Sequence, residues 1–319
     1  MTPCIRRSAF ALCLLACSLA VGGAHADSPA ATTAAPAAAS RPAPKPLLWK
    51  VSDQDNSIYL LGSFHLLKAD DYPLSSDIEQ AFAEADKLVF EVPPAELSDP
   101  ALGLKMAQLA GYSDGRTLSQ VVPVDVLAKM KQVLGAEHVS QLEAMEPWFI
   151  NLGLLIGVSQ KLGFQPDQGL DLHLARRAEA ASKPVAGLET ADQQLAVLDS
   201  TPMDEQVAGL RDFLADPAEA QKLLTETHEA WRNGDAKRLG ELAIDQFRTD
   251  TPVTYRIINV QRNDAWVPQL QQMLDGAKEG NTLVVVGAMH LLGQDGVVEK
   301  LRAKGYRVER ICSACSGQK

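Results

Sequence analysis

Four short runs of almost unbroken apolar residues constrain this chain more than any other feature: Ile58-Tyr-Leu-Leu61, Lys87-Leu-Val-Phe90, Pro184-Val-Ala-Gly187 and Thr282-Leu-Val-Val-Val286. A strand with one wet face alternates apolar and polar residues. Runs without alternation belong to strands covered on both faces, as in a parallel sheet held between helix layers. Leu47 to Val51 reads as an antiparallel partner of the first run, turning over Asp53-Gln-Asp-Asn-Ser57, and Tyr306 to Ile311 as a closing strand.

Helical patterns fill the intervals. Ser76-x-x-Glu79 and Thr190-x-x-Gln193 have capping-box spacing, and Pro123 suits the first turn of a helix burying Leu127, Met130 and Leu134. Gln294 to Lys304, closed by Gly305, reads as another helix, and Phe149 to Val158 as a short buried one. Between Pro202 and Pro252 the pattern is helical and charged, an insertion or a lid over the sheet. The expected fold is α/β: a mixed, largely parallel central sheet flanked by helices, with a helical subregion over about 202–252.

The ends of the chain lie outside this pattern. Arg6 and Arg7, the apolar run Ala9 to Val21 and the site Ala24-His-Ala26 have the layout of a signal peptide over residues 1–26. Leu15-Ala16-Cys17 resembles a lipid-attachment site, but the residues after Cys17 are apolar, and cleavage after Ala26 is the preferred reading. Residues 27–46, rich in Ala and Pro, are expected to form a mobile linker; 47–311 the folded domain; 312–319 a tail. The expected location is therefore exported, periplasmic or secreted. Cys312 and Cys315 survive cleavage and are expected to be a peripheral disulfide or free thiols. The formal net charge of −10, without a basic stripe, argues against nucleic acid as a partner, and no run in the mature chain is long enough to span a bilayer.

Chemistry concentrates where the apolar runs stop. The first run continues Gly62-Ser-Phe-His65 and the last Gly287-Ala-Met-His290; the second reaches Glu91 and the third Glu189. Each Gly-x-x-His allows a sharp turn off the sheet and stands a histidine above the carboxyl edge of the strands, where open α/β sheets place ligands. A carboxylate at the end of an apolar strand is costly unless partnered. If the strands are parallel neighbours, His65, Glu91, Glu189 and His290 converge, and imidazole with carboxylate is a normal ligand set for a divalent transition metal. Taken singly, each has a plainer reading: a strand-end histidine bonding a carbonyl, or Glu189 serving the dipole of the helix it precedes. His173 is expected to be structural, His228 to be solvated on a charged helix face, and His138 to sit in an interhelical loop. No nucleophile elbow, phosphate loop, dinucleotide fingerprint or His-Glu-x-x-His is present.

The Gly-Ser-Phe-His65 turn, Val-Phe-Glu91, Gly169-Leu-Asp171, Gly187-Leu-Glu189-Thr190 with Gln193 or Gln194, Arg262-Asn263 and Gly-Ala-Met-His290 fall in an order that resembles the TraB/GumN family, itself similar to the Tiki metalloproteases and more distantly to erythromycin esterase and ChaN-like proteins. The resemblance implies a metal-dependent core of His65, Glu91 and His290, with Glu189 and Asp171 as further candidate ligands. It implies that Arg262 and Asn263 face the site, Arg262 steadying a carboxylate or anionic intermediate. A surface pair at that position is the plainer alternative, as is a dipole role for Asp171. The resulting expectation is a metal-dependent hydrolase acting on a peptide or small molecule with Mn, Co or Zn, in which Glu91 is ligand or general base. The alternatives are a metal- or haem-binding protein without turnover, and an accessory protein of envelope or exopolysaccharide biology.

Overall fold

The computed structural model describes residues 41–53, 55–276 and 280–315. The expected signal peptide, most of the linker and the end of the tail lie outside the described residues. Six strands form one sheet in the order β4-β3-β5-β2-β1-β6. They are β1 (Leu48–Ser52), β2 (Ser57–Ser63), β3 (Ala85–Phe90), β4 (Val185–Gly187), β5 (Asn281–Gly287) and β6 (Arg307–Ile311). β2, β3, β4 and β5 run parallel, while β1 is antiparallel to both β2 and β6. The sheet is mixed and largely parallel, and β2 and β5, buried along almost their whole length, form its centre. That burial is what their unbroken apolar sequences require.

β4 departs from expectation. It is an edge strand of three residues, with Val185 44 % exposed, so its apolar run reflects length and position rather than cover on both faces.

The helices used below are α1 (Ser76–Glu84), α2 (Val124–Leu134), α3 (Pro147–Lys161), α4 (Leu170–Ala180), α5 (Ala191–Asp199), α6 (Met203–Ala215), α7 (Pro217–Arg232), α8 (Arg262–Gly276) and α9 (Val297–Ala303). Thr190 caps α5 in a capping box with Gln193, as its spacing predicts. Ser76 does not: the cap position of α1 is Ser75, one residue earlier, and Ser76 already lies inside the helix. α2 starts after Pro123 and buries Val126 and Met130, leaving Leu127 and Leu134 half-buried, a seam rotated by one residue from the expected one. His138 lies exposed in the short helix Ala136–Gln141 rather than in a loop.

The 202–252 region is helical, and it belongs to the core: Trp231 of α7 donates its indole N–H to the Gly62 carbonyl at 2.9 Å. His228 is fully buried rather than solvated. Its Nε2 lies 2.9 Å from Asp71, which also pairs with buried Arg232, and its ring packs edge-on to Phe64 and Phe164. A buried imidazole is tolerated only with a partner, and Asp71, at the end of the short 3-10 helix Ala69–Asp71 after β2, supplies it. Residues 41–46 are fastened along the same helix. Lys45 N–H donates to the Arg232 carbonyl at 2.7 Å and Arg41 pairs with Glu229 at 2.8 Å, so this end of the linker is docked. Cys312 and Cys315 form a disulfide.

Candidate active site at the carboxyl edge of the sheet

The parallel register of β2, β5 and β3 brings three strand ends level, with Ser63 opposite Gly287 and Phe90 opposite Val285. The residues just beyond them therefore meet. His65 follows β2, Glu91 follows β3, and His290 lies in the short helix Ala288–Leu291 after β5; all three are at most 5 % exposed. Each histidine places Nε2 3.8 Å from one atom, Glu91 Oε1.

The glycines act differently from expectation. Neither Gly62 nor Gly287 has a positive φ; Gly62 lies within β2, and Gly287 has φ −50°. What they supply is closeness. A Cβ on Gly287 would lie 3.1 Å from both Glu91 Oε1 and His65 Nε2. Gly169 admits the start of α4 in the same way, since a Cβ there would meet the His65 carbonyl oxygen at 2.2 Å.

The hydrogen bonds fix both histidine tautomers. Asp171, in the first turn of α4, accepts from Ser63 Oγ at 2.7 Å and from His65 Nδ1 at 3.0 Å. Asn263 Nδ2 donates to the Asp295 carbonyl at 2.8 Å, so its Oδ1 is the acceptor facing His290 Nδ1 at 2.7 Å. With Nδ1 protonated in each ring, the Nε2 atoms carry the lone pairs directed to the site. His65 Nε2 is buried with no hydrogen-bond partner. His290 Nε2 accepts from Arg262 Nη1 at 3.1 Å.

Arg262 ties the carboxylates together. It donates to Glu91 Oε2 at 2.7 Å and to Glu189 at 2.5 and 3.1 Å, and its guanidinium lies 4.7 Å over Trp266, whose ring packs against His290. It is 5 % exposed and Asn263 is fully buried, so the surface alternative for this pair is overturned. A π-helical segment, Arg256–Gln261, immediately precedes them, and its Ile258 carbonyl accepts from Arg262 Nη1 at 3.3 Å. Widened turns of this kind recur at functional sites. Glu91 also accepts from Gly287 N–H at 2.7 Å and from Gln194 Nε2 at 3.1 Å.

Burial would push every charged group here toward neutrality, and the neighbours decide where each ends. For Glu91 burial is outweighed, chiefly by the Arg262 guanidinium, which holds it at about 2. Burial and then Arg262 push His290 well below the ordinary histidine range, so it is neutral. For His65, burial opposes but the Asp171 carboxylate prevails, raising the imidazole and lowering Asp171. Glu189 is raised because burial outweighs even its contacts with Arg262.

All seven predicted site residues thus form one connected group. His65, Glu91 and His290 face one another, Asp171 and Asn263 stand behind the two histidines, and Glu189 is reached through Arg262. Sequence reasoning missed Asp295, Tyr255 and Trp266. Tyr255 donates to Asp295 Oδ2 at 3.1 Å, which steadies the loop that receives Asn263. Helical spacing was the one signal: Tyr255 lies eight residues before Asn263 and Trp266 four after Arg262, while nothing marked Asp295. His173 packs against Tyr72 at 4.4 Å and takes no part in the site, in keeping with a structural residue.

As to a metal, the donors fit a divalent ion in kind: two Nε2 lone pairs, one of them orphaned, and a carboxylate oxygen, around a space that a single Cβ would fill. Among the described residues no group of three or more His, Cys, Asp or Glu is arranged so that it could hold a metal ion.

Fold and site together define an α/β protein with a buried imidazole–carboxylate–guanidinium centre at the carboxyl edge of its sheet. The chain belongs to the TraB/PrgY/gumN family, whose model matches residues 47–310. It is 27 % identical over 252 residues to the uncharacterized protein YbaP of Escherichia coli (strain K12), covering 76 % of this chain and 87 % of that one. It is 21 % identical over 276 residues to an uncharacterized protein of Treponema pallidum, covering 81 % and 80 %. It is also 21 % identical over 312 residues to the metalloprotease TIKI1 of Danio rerio, covering 82 % of this chain and 62 % of that protein. No solved structure matches the chain.

Proposed function

We propose that this chain is a metal-dependent hydrolase of peptide bonds, with its centre at His65, Glu91 and His290. The observation that carries the reading is the pair of Nε2 atoms held 3.8 Å from one carboxylate oxygen, each ring fixed from behind by Asp171 or Asn263. The distant likeness to the metalloprotease TIKI1 supports it.

In this reading His65 and His290 offer their Nε2 lone pairs and Glu91 its Oε1. A bound divalent ion would lower the pKa of water and polarise a carbonyl oxygen. Glu91, held at about 2, remains ionised and is a weak base, which suits an anchoring charge better than proton abstraction. Arg262, fixed between Glu91 and Glu189, places a permanent cation beside the centre, where negative charge develops on a carbonyl oxygen under attack.

A second reading is binding without turnover, and one observation favours it: Arg262 already meets Glu91, Glu189 and His290 together. Export of the chain is part of the proposal, supported by the leader-like first 26 residues and by a disulfide suited to an oxidising compartment.

The test is metal content and peptide turnover of the mature protein beside His65→Ala and His290→Ala. Loss of both properties with an unchanged melting curve supports the hydrolase. Metal uptake lost in the variants of a protein that never turns over peptide selects the binding reading. Full metal content and full turnover in His65→Ala would sink the proposal.

A further inference from the structure

The three donors that face one another at the centre are not equally free. His65 Nε2 is buried without a hydrogen-bond partner, whereas His290 Nε2 accepts from Arg262 Nη1 at 3.1 Å. A neutral imidazole has one lone pair, on the nitrogen that lacks the proton, so that nitrogen accepts a hydrogen bond or binds an ion and cannot do both. The other ring nitrogen gives no second chance, because His290 Nδ1 donates to Asn263 Oδ1 at 2.7 Å. Arg262 does not yield by losing a proton either, since a guanidinium stays charged in proteins. An ion and Arg262 therefore need the same electron pair.

Arg262 is held so that it can release that pair without leaving. Its Nε and Nη2 grip Glu189 at 3.1 and 2.5 Å, and Nη2 also donates to Glu91 Oε2 at 2.7 Å. Nη1 has a second acceptor, the Ile258 carbonyl at 3.3 Å, and Trp266 lies beneath the guanidinium. Glu91 divides its oxygens in the same way, Oε2 toward Arg262 and Oε1 toward the two imidazoles.

We propose that Arg262 is a built-in competitor of the metal: it caps His290 Nε2, gives that lone pair up when a divalent ion binds, and holds the affinity of the centre below what its ligands alone would provide. The inference rests on the metal-centre reading and deepens it. Two effects act in the same direction. The ion has to break a hydrogen bond made by a charged donor, and it then lies beside a fixed cation in a buried setting, where like charges repel strongly. Occupancy of such a centre follows the supply of the ion.

The experiment titrates Zn²⁺ against a chelating dye in the mature protein, in Arg262→Met, Arg262→Lys, His65→Ala and His290→Ala, and in Arg262→Met combined with His290→Ala. Arg262→Met should bind Zn²⁺ at least about tenfold more tightly than wild type. Arg262→Lys, which keeps a cation but not the fork, should fall between the two. The gain from Arg262→Met should shrink in the His290→Ala background, where there is no lone pair to compete for. In isotope-labelled wild type, NMR should show the His290 Nε2 and Arg262 Nη resonances moving together as Zn²⁺ is added.

Zn²⁺ binding that His65→Ala abolishes, with no gain in Arg262→Met or an equal gain without His290, overturns the competition and leaves a metal centre standing. Binding confined to Arg262→Met supports the competition in its strongest form. No binding by wild type or by Arg262→Met removes the metal centre and the competition with it. Should Arg262→Met fail to fold, the NMR titration decides alone, and a bound ion that leaves His290 Nε2 and Arg262 unmoved overturns the proposal.

Discussion

Gly287 shows how much a single residue decides here. Its backbone, φ −50° and ψ 134°, is open to alanine, so a methyl group there does not strain the chain. The methyl would instead stand 3.1 Å from Glu91 Oε1 and from His65 Nε2. Gly287→Ala is therefore expected to reduce metal affinity and turnover by at least about tenfold, as loss of a ligand's support does, while the melting temperature moves little. Gly62→Ala is the contrast: its methyl would press on Ala288 and Leu47, each at 3.1 Å, and should cost about 1–3 kcal/mol by overpacking. Thermal melts beside metal titrations separate the two. If Gly287→Ala kept full affinity, the space between His65 and Glu91 would not be a ligand site. At this scale the sequence was informative because a histidine or glutamate ending an apolar run has no cheap alternative to a polar partner, so His65, Glu91, Glu189 and His290 were legible. His228 was not. Its neighbours, Thr225-Glu-Thr-His-Glu229, read as a wet helix face, and its burial depends on Asp71, 157 residues earlier in the chain.

Among the elements, α8 has the most unusual task, since consecutive residues at its start, Arg262 and Asn263, both point into the core. Neighbouring side chains on a helix diverge by about 100°, so both can be buried only where the helix end is surrounded. Glu189 and Glu91 receive one, and His290 with Asp295 the other. Asn263→Ala removes the acceptor from His290 Nδ1 and frees the ring to change tautomer. Metal affinity is expected to fall about 10- to 100-fold, the usual consequence of losing an outer partner of a ligating histidine. Asn263→Asp should keep more of it, because it keeps the acceptor. Equal affinities in Asn263→Ala and wild type, measured by competition with a chelating dye, would reduce Asn263 to a satisfied buried amide. The sequence showed the element but not this geometry, because the π-helical turn before Arg262 leaves no mark in apolar periodicity. Periodicity failed in the same way at β4, where a short apolar run marks an edge strand, and at α1, where two serines in succession made the cap ambiguous.

On the scale of the whole molecule, the helical layer and the sheet are joined by a second buried ionic cluster, which shares no hydrogen bond with the catalytic candidates and packs on Phe64 beside His65. Asp71, His228 and Arg232 are all at most 6 % exposed, and Arg232 also holds the Pro42 carbonyl at 2.8 Å, so the cluster fixes the N-terminal strap as well. Burial alone would raise the Asp71 carboxyl, but its bond with His228 and the further contacts with Lys68 N–H and Arg232 outweigh it and hold the folded-state value below the ordinary 3.8. A depressed carboxyl stabilises the fold above its unfolded pKa, and that contribution is lost as pH falls through the folded value. Asp71→Asn should thus cost about 3–5 kcal/mol at pH 7, since it leaves the buried Arg232 guanidinium without its anion. The difference between variant and wild type should narrow steadily below a pH of about 3.8, as wild type loses what the variant never had. Urea unfolding of both proteins at pH 7 and in steps toward pH 3 measures this directly. A difference that stayed constant across that range would mean that the Asp71 carboxyl titrates alike in the folded and unfolded chain, and the helical layer would then owe its position to apolar packing and to the Trp231–Gly62 hydrogen bond instead.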